Sequence, residues 1–252
     1  MNIPNRVFIV PYRKRETYKK ILTEKLSEYL KDENDWELYF SHQCDERPFN
    51  RGATKNIGFL AIKDKYPNHY KDITFIFHDV DTYPTEKGLI DYITTDGVVK
   101  HFYGFTFSLG GIFAIKGKDF EKTKGFPNFW GWGLEDNIIQ DRCISNNLTI
   151  DRSNFFSVND NRIIREFDGN HRLVSKGDIS VYTNKASDDF TFIKNMEYEI
   201  DDKMINIKNF DVKSNLNDQE FFLRNQKLSG LRMKIPPGHN KRNWTMKKIF
   251  AL

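Results

Sequence analysis

Cysteine is scarce in this chain: two residues in 252, Cys44 and Cys143. No metal-type spacing links them, and two thiols cannot build a disulfide framework, so a disulfide-stapled scaffold is excluded and the reducing cytosol is the simpler setting. Long apolar runs are missing too. The opening MNIPNRVFIVPYRKRE holds only four consecutive apolar residues before Pro11, too short for a signal-peptide core or a membrane span. Without an export signal, Asn147-Leu-Thr and Asn243-Trp-Thr read as chance matches to the glycosylation pattern. There is no Walker loop, GxGxxG, HExxH or GxSxG, which removes the main support for P-loop NTPase and dinucleotide-dehydrogenase readings. No internal repeat or long low-complexity run is present. Acidic residues are absent from Phe221 onward, where eight Lys/Arg stand; the remainder has 31 basic and 35 acidic residues. The basic excess therefore belongs to the tail, and the main domain shows no electrostatic footprint for nucleic acid.

What is present begins with aromatics, at 15% of the chain (22 Phe, 11 Tyr, 4 Trp). Such rings fill cores and line sites for flat or sugar-like ligands. At 38% apolar and 29% charged, the chain is globular, with length for one large domain or a domain plus an appendage. RVFIVPY (6–12) reads as a buried strand. ETYKKILTEKLSEYLKD (16–32) reads as a helix, with Ile21, Leu22, Leu26, Tyr29 and Leu30 on one face. WELYFSH (36–42) is a second strand, NRGATKNIGFLAIKDKY (50–66) a helix despite Gly52 and Gly58, and DITFIFHD (72–79) a third strand. This β-α-β-α-β order predicts an α/β fold with a parallel sheet covered by helices. Extended segments broken at Gly110-Gly111 are expected over 104–117, and a helix over 134–147.

Four stretches carry chemistry-bearing residues. In FIFHDVDTYP (75–84), a buried strand runs into Asp79-Val80-Asp81, and strand alternation would put both carboxylates on one side. Ligands of open α/β sheets sit at such strand ends, and a hard divalent ion with diphosphate oxygens would neutralise the pair; a surface turn is the competing reading. In FPNFWGWGLEDN (126–137), two Trp and two Gly precede Glu135 and Asp136. An indole face beside an acid suits a sugar ring whose hydroxyl loses a proton; core Trp residues and acids matched to a helix dipole explain the same pattern. In PYRKR (11–15) and FNR (49–51), Arg13, Arg15 and Arg51 suit phosphate and Phe49 suits a base; a solvated helix start is the alternative. His171, in EFDGNHRL, is either structural or a ligand that would favour Mn²⁺ over Mg²⁺.

Taken in order, PYRKR, FNR, FIFHDVDTYP, Gly-Gly and GFPNFWGWGLEDN resemble the β-1,4-galactosyltransferase family, glycosyltransferase family 7, from about Val7 to Val212. The resemblance implies a GT-A fold, with a Rossmann-like, mostly parallel sheet flanked by helices. It implies an inverting, Mn²⁺-dependent transfer of galactose or N-acetylgalactosamine from a UDP-sugar donor to a hydroxyl of an oligosaccharide or glycan acceptor. A non-catalytic sugar- or nucleotide-binding module on the same fold is the alternative. Carried over, Pro11, Tyr12, Arg13, Arg15, Phe49 and Arg51 would hold the uridine and phosphates. Asp79, Val80 and Gly111 would border the donor. Asp81 would ligate Mn²⁺, with His171 as second ligand and Asp168 as its rival. Trp132 would floor the sugar pocket, Glu135 would orient hydroxyls and Asp136 would be the general base.

The departures are Leu134 after WGWG, Asn137 after the acid pair, and a metal segment, NDNRIIREFDGNHRL (159–173), that matches only loosely. A bulky residue that selects galactose often precedes the family's aromatic-Gly-Gly unit; here Ser108 leads Leu109-Gly110-Gly111, leaving room for an N-acetyl group. The expected division is a catalytic domain over 1–212 and a basic extension over 213–252. Lacking the membrane anchor usual in animal members, the chain is expected in the cytoplasm. Trp244, Ile249 and Phe250 among Lys247 and Lys248 suit weak docking on an anionic membrane surface. Co-sedimentation of the full chain with anionic vesicles should exceed that of a chain lacking the tail; equal partitioning would end the idea.

Overall fold

The computed structural model describes residues 3–166, 171–183 and 188–225. The basic tail proposed to meet a membrane lies outside them from residue 226, as does Asp168. Among the described residues, no helix is long and apolar enough to cross a membrane.

In chain order the first half runs β1 (Arg6–Tyr12), α1 (Glu16–Tyr29), β2 (Trp36–Gln43), α2 (Arg51–Lys65), β3 (Thr74–His78), β4 (Thr82–Pro84), β5 (Val98–Gly104), β6 (Ile112–Lys116) and α3 (Gly117–Thr123). The second half runs α4 (Glu135–Ser145), β7 (Thr149–Asp151), β8 (Phe156–Ser157), β9 (Ile163–Arg165), β10 (His171–Ser175), α5 (Lys176–Thr183), β11 (Lys194–Asp201), β12 (Met204–Asp211) and β13 (Phe221–Asn225).

All seven residues of β1 are buried, as a central strand covered on both faces requires. It pairs in parallel with β2 on one side and β3 on the other. Going from β1 to β2 and then back across β1 to β3, right-handed crossovers must place α1 and α2 on opposite faces. The two cores match. Phe8 and Val10 pack with Leu22 and Leu26 of α1, whereas Val7 and Ile9 pack with Ile57, Phe59 and Ile62 of α2. A glycine in α2 has a packing reason: a Cβ on Gly58 would stand 2.6 Å from Ile9 Cγ2. Because the chain leaves β1 toward the β2 side of the sheet and leaves β3 toward the opposite, β6 side, a crevice opens past the carboxyl ends of β1 and β3.

Beyond β3 the sheet turns mixed. Its order is β11-β12-β2-β1-β3-β6-β5-β7, with β8 on β5. β6 is antiparallel to both β3 and β5, and β11 is antiparallel to β12. The expected parallel order holds for the first three strands, and parallel pairing recurs where β12 meets β2 and where β7 and β8 meet β5. The break at Gly110-Gly111 falls, as anticipated, between β5 and β6. Residues 213–225, assigned from the sequence to a separate extension, supply β13, which pairs with β10, and Ser214, whose carbonyl accepts a 2.9 Å hydrogen bond from Trp130.

Candidate functional site

The crevice past β1 and β3 is a cavity of about 480 Å³. Pro11, Arg13 and Arg15 reach it from the end of β1, Asp79, Val80 and Asp81 from the end of β3, and Phe49 and Arg51 from the start of α2. Gly110 and Gly111 form another wall, and Trp132, Glu135 and Asp136 close it. β3 ends at His78, so Asp79 and Asp81 follow the strand rather than belong to it, and strand alternation does not orient them. Tyr12 lies off the lining: its ring is buried in the core and its hydroxyl donates to Glu16. The backbone of His171 pairs with Asn225 in the β10–β13 ladder; its side chain is outside what is described.

Arg51 organises the acids. Asn50 caps α2 by accepting from the Ala53 amide at 2.9 Å, which fixes the helix start and aims Arg51 across the cavity. Its Nη1 donates to Glu135 Oε1 at 2.7 Å and to Asp136 Oδ2 and Oδ1 at 2.8 and 2.9 Å, while Nη2 donates to Asp79. Burial by itself would lower the Arg51 pKa, but Asp136, Asp79 and Glu135 outweigh it and hold the guanidinium firmly charged. One turn later Lys55, 2% exposed, donates to Asp136 Oδ1 at 3.0 Å. Its pKa is lowered, by burial first and then by Arg51. Burial opposes ionisation of Asp79, yet Arg51 and Lys55 keep its carboxyl below the ordinary value. Burial and then the charge of Asp136 push Glu135 up, and Glu135 Oε2 has no hydrogen-bond partner. Sequence reasoning assigned Lys55 no role; its i,i+4 spacing from Arg51 was the available signal.

Glu135 and Asp136 form the first turn of α4, where the helix dipole favours anions. The turn is entered through Leu134 at φ +71°, a left-handed conformation uncommon for a side chain of this size. Leu134 is buried against Phe129, Val174 and Ile179, which offsets the strain. The Leu109 amide donates to the Asp136 carbonyl at 2.9 Å, and a Cβ on Gly110 would stand 2.7 Å from Asp136 Oδ2. Gly110→Ala should therefore push the carboxylate aside and cut any reaction that depends on it by roughly tenfold or more. Steady-state kinetics of that variant would check this; wild-type turnover would show that the contact is slack.

Both Trp residues border the cavity, but unequally. Trp130 is 2% exposed and stacks on Phe210 at 5.5 Å, mainly a core residue. Trp132 lines the cavity, its amide donating to the Leu173 carbonyl at 2.7 Å and the Arg172 guanidinium 5.8 Å from its ring. Arg13 donates to the Arg47 carbonyl and lies 5.2 Å from the centroid of Phe49. Arg165 and Arg172 also line the cavity and were not singled out from sequence. With Arg13, Arg15 and Arg51 they suit a ligand with several anionic oxygens.

Asp81 is buried, lines the cavity and offers hard oxygen donors. Its carbonyl accepts from the Glu166 amide at 2.8 Å, and Thr82 Oγ1 donates to Oδ1 at 3.2 Å. Among the described residues, no group of three or more His, Cys, Asp or Glu is placed to hold a metal. The donor set fits a hard divalent ion that takes its remaining ligands from a diphosphate and water, and does not fit an all-protein cage.

Two family models match the chain: the N-terminal region of glycosyl transferase group 7 over residues 4–92, and the N-terminal domain of galactosyltransferase over residues 99–166. Among curated proteins, β-1,4-galactosyltransferase 4 of Cricetulus griseus is 32% identical over 159 residues, 58% of this chain and 44% of its own length. The xylosylprotein 4-β-galactosyltransferase of Caenorhabditis elegans is 29% identical over 190 residues, 71% of this chain and 62% of its own length. The chain thus spans less than half the length of the first of these relatives. Among solved structures, the catalytic domain of Drosophila β-1,4-galactosyltransferase 7 in complex with xylobiose superposes with a TM-score of 0.65 at 20% identity, covering 85% of this chain and 97% of that one. A mutant of the same enzyme, in complex with manganese, UDP-Gal and xylobiose, gives 0.61 at 18% identity, with the same coverage. At such identities the likeness shows a shared fold.

Proposed function

The chain belongs to glycosyltransferase family 7 and has its GT-A fold, and from that premise we propose that it is a metal-dependent, inverting glycosyltransferase moving galactose or N-acetylgalactosamine from a UDP-sugar to a saccharide hydroxyl. The observation that carries this reading is the span of Arg51: one guanidinium joins Asp79, beside Asp81 at the nucleotide end, to Glu135 and Asp136 at the other wall. Support also comes from the Drosophila neighbours, which bind UDP-Gal, manganese and xylobiose.

In this reading Arg13, Arg15 and Phe49 hold the uridine and phosphates. Asp81 holds Mn²⁺, whose charge stabilises the departing diphosphate. Trp132 floors the sugar pocket, and Glu135 fixes hydroxyls. Burial and the charge of Asp136 push its carboxyl up, which suits it to exchange hydrogen bonds with alcohols. Asp136 takes the acceptor proton on a carboxylate oxygen as the acceptor oxygen bonds to the anomeric carbon. The bond from that carbon to the UDP oxygen breaks on the far side, and UDP leaves with the electron pair. A single displacement of this kind inverts the centre. Arg51 occupies both Asp136 oxygens in the structure described, so the base is freed when Arg51 turns to the diphosphate, a stronger anion. Ser108 is buried on the cavity lining and small enough to admit an N-acetyl group.

A UDP-release assay over a panel of UDP-sugars, with GlcNAc, xylose and glucose acceptors, tests this with and without Mn²⁺. UDP should appear only with metal and acceptor, from UDP-Gal or UDP-GalNAc. Nucleotide binding without transfer would support a binding module instead, and no binding of any UDP-sugar would overturn the proposal.

A further inference from the structure

Lys55 stands on the most buried stretch of α2, away from the cavity lining, with its ammonium 4.4 Å from the Phe126 ring centroid. Its ion-pair partner is Asp136, at 3.0 Å. A fully buried lysine is costly, and this one meets the acid with the largest proposed chemical task. The two cations on Asp136 differ in access. Arg51 lines the cavity, where an incoming diphosphate reaches it, whereas Lys55 approaches from the protein side. The other charged or titratable groups around Asp136 are Glu135 from α4, Asp79 after β3, and His101 from β5.

We propose that Lys55 is a positioning residue for the transfer step: it pins Oδ1 of Asp136 so that Oδ2, on the Gly110 side, faces the acceptor hydroxyl once Arg51 has left. The inference rests on the reading of Asp136 as general base. Arg51 cannot hold the carboxylate at the moment of reaction if it has turned to the diphosphate. A tether that ligand cannot reach keeps the base from following it. Loss of that tether should affect the bound complex rather than its formation, because Lys55 touches no surface the donor meets.

The test is a cycle of Lys55→Met, a chain of similar length without charge, with Asp136→Asn. Lys55→Met alone should lower kcat roughly 10–100-fold, with donor KM and UDP affinity within about twofold. In the Asp136→Asn background, the same substitution should cost nothing further, since the residue acts through that carboxylate. Unchanged kcat in Lys55→Met would overturn the proposal, and so would an equal loss in both backgrounds, the mark of a merely structural lysine. If Lys55→Met does not fold, Lys55→Gln carries the same cycle. An inactive Asp136→Asn beside a fully active Lys55→Met sinks only the positioning role; a fully active Asp136→Asn sinks the base assignment and the positioning role together.

Discussion

Asp136→Asn should lower sugar transfer by roughly 10²–10⁴-fold, the usual contribution of a positioned general base, while UDP binding changes little. The amide keeps the size of the carboxylate but is not a base, and the Leu109 contact to the backbone carbonyl at 2.9 Å survives the change. Lys55 loses its ion pair, and its already lowered pKa lets it shed the proton rather than remain a buried, unpaired cation. The folded chain should therefore persist, as a melting curve near that of the parent would show. Calorimetric titration with UDP and Mn²⁺ separates the two functions of the cavity: retained affinity with lost turnover is the expected pair. Wild-type turnover in this variant would remove Asp136 from the chemistry.

Arg51→Met should be the most destabilising single change in the site. It leaves Asp79, Glu135 and Asp136 facing each other, offset by Lys55 and, at Asp79, by the more distant charge of Arg165. Removing one partner of a buried ion pair costs about 3–5 kcal/mol. The lower figure, about 3 kcal/mol, applies here because the Asp79 and Asp136 side chains are 29% and 21% exposed and water relieves part of the repulsion. Urea unfolding measures it. The pH dependence has a definite sign. Arg51 first, then Lys55, outweigh burial and hold the Asp79 carboxyl below its ordinary value in the folded chain. Its stabilisation is thus present above the unfolded carboxylate pKa and lost as pH falls through the depressed one. The gap between parent and Arg51→Met should narrow on acidification; a gap that widens would mean that the guanidinium does not hold these acids.

Much of the chemistry was legible as residue types at the ends of elements. A buried apolar run followed by Asp79-Val80-Asp81, and an aromatic-glycine stretch followed by Glu135-Asp136, announce acids mounted on rigid supports, because periodicity reveals strands and helices and polar residues at their ends have no core to enter. The limits of that reading are equally specific. Tyr12 and Arg13 are neighbours in one motif, yet one ring is buried in the core and the other side chain lines the cavity. Trp130 and Trp132 are two residues apart, yet Trp130 stacks on Phe210 and Trp132 faces the site. Lys55 looks like a solvent-facing charge in a helix and is fully buried.

The order of residues alone determined the element types from β1 to β3 and the identity of the acids, since each depends on local periodicity and on side-chain chemistry. Only the folded chain decided the mixed sheet beyond β3, the pairing of β13 with β10, and the convergence of Arg51 and Lys55 on carboxylates some 80 residues away. Burial and partner choice are set by which surfaces meet when distant segments pack, and no short-range pattern encodes that meeting.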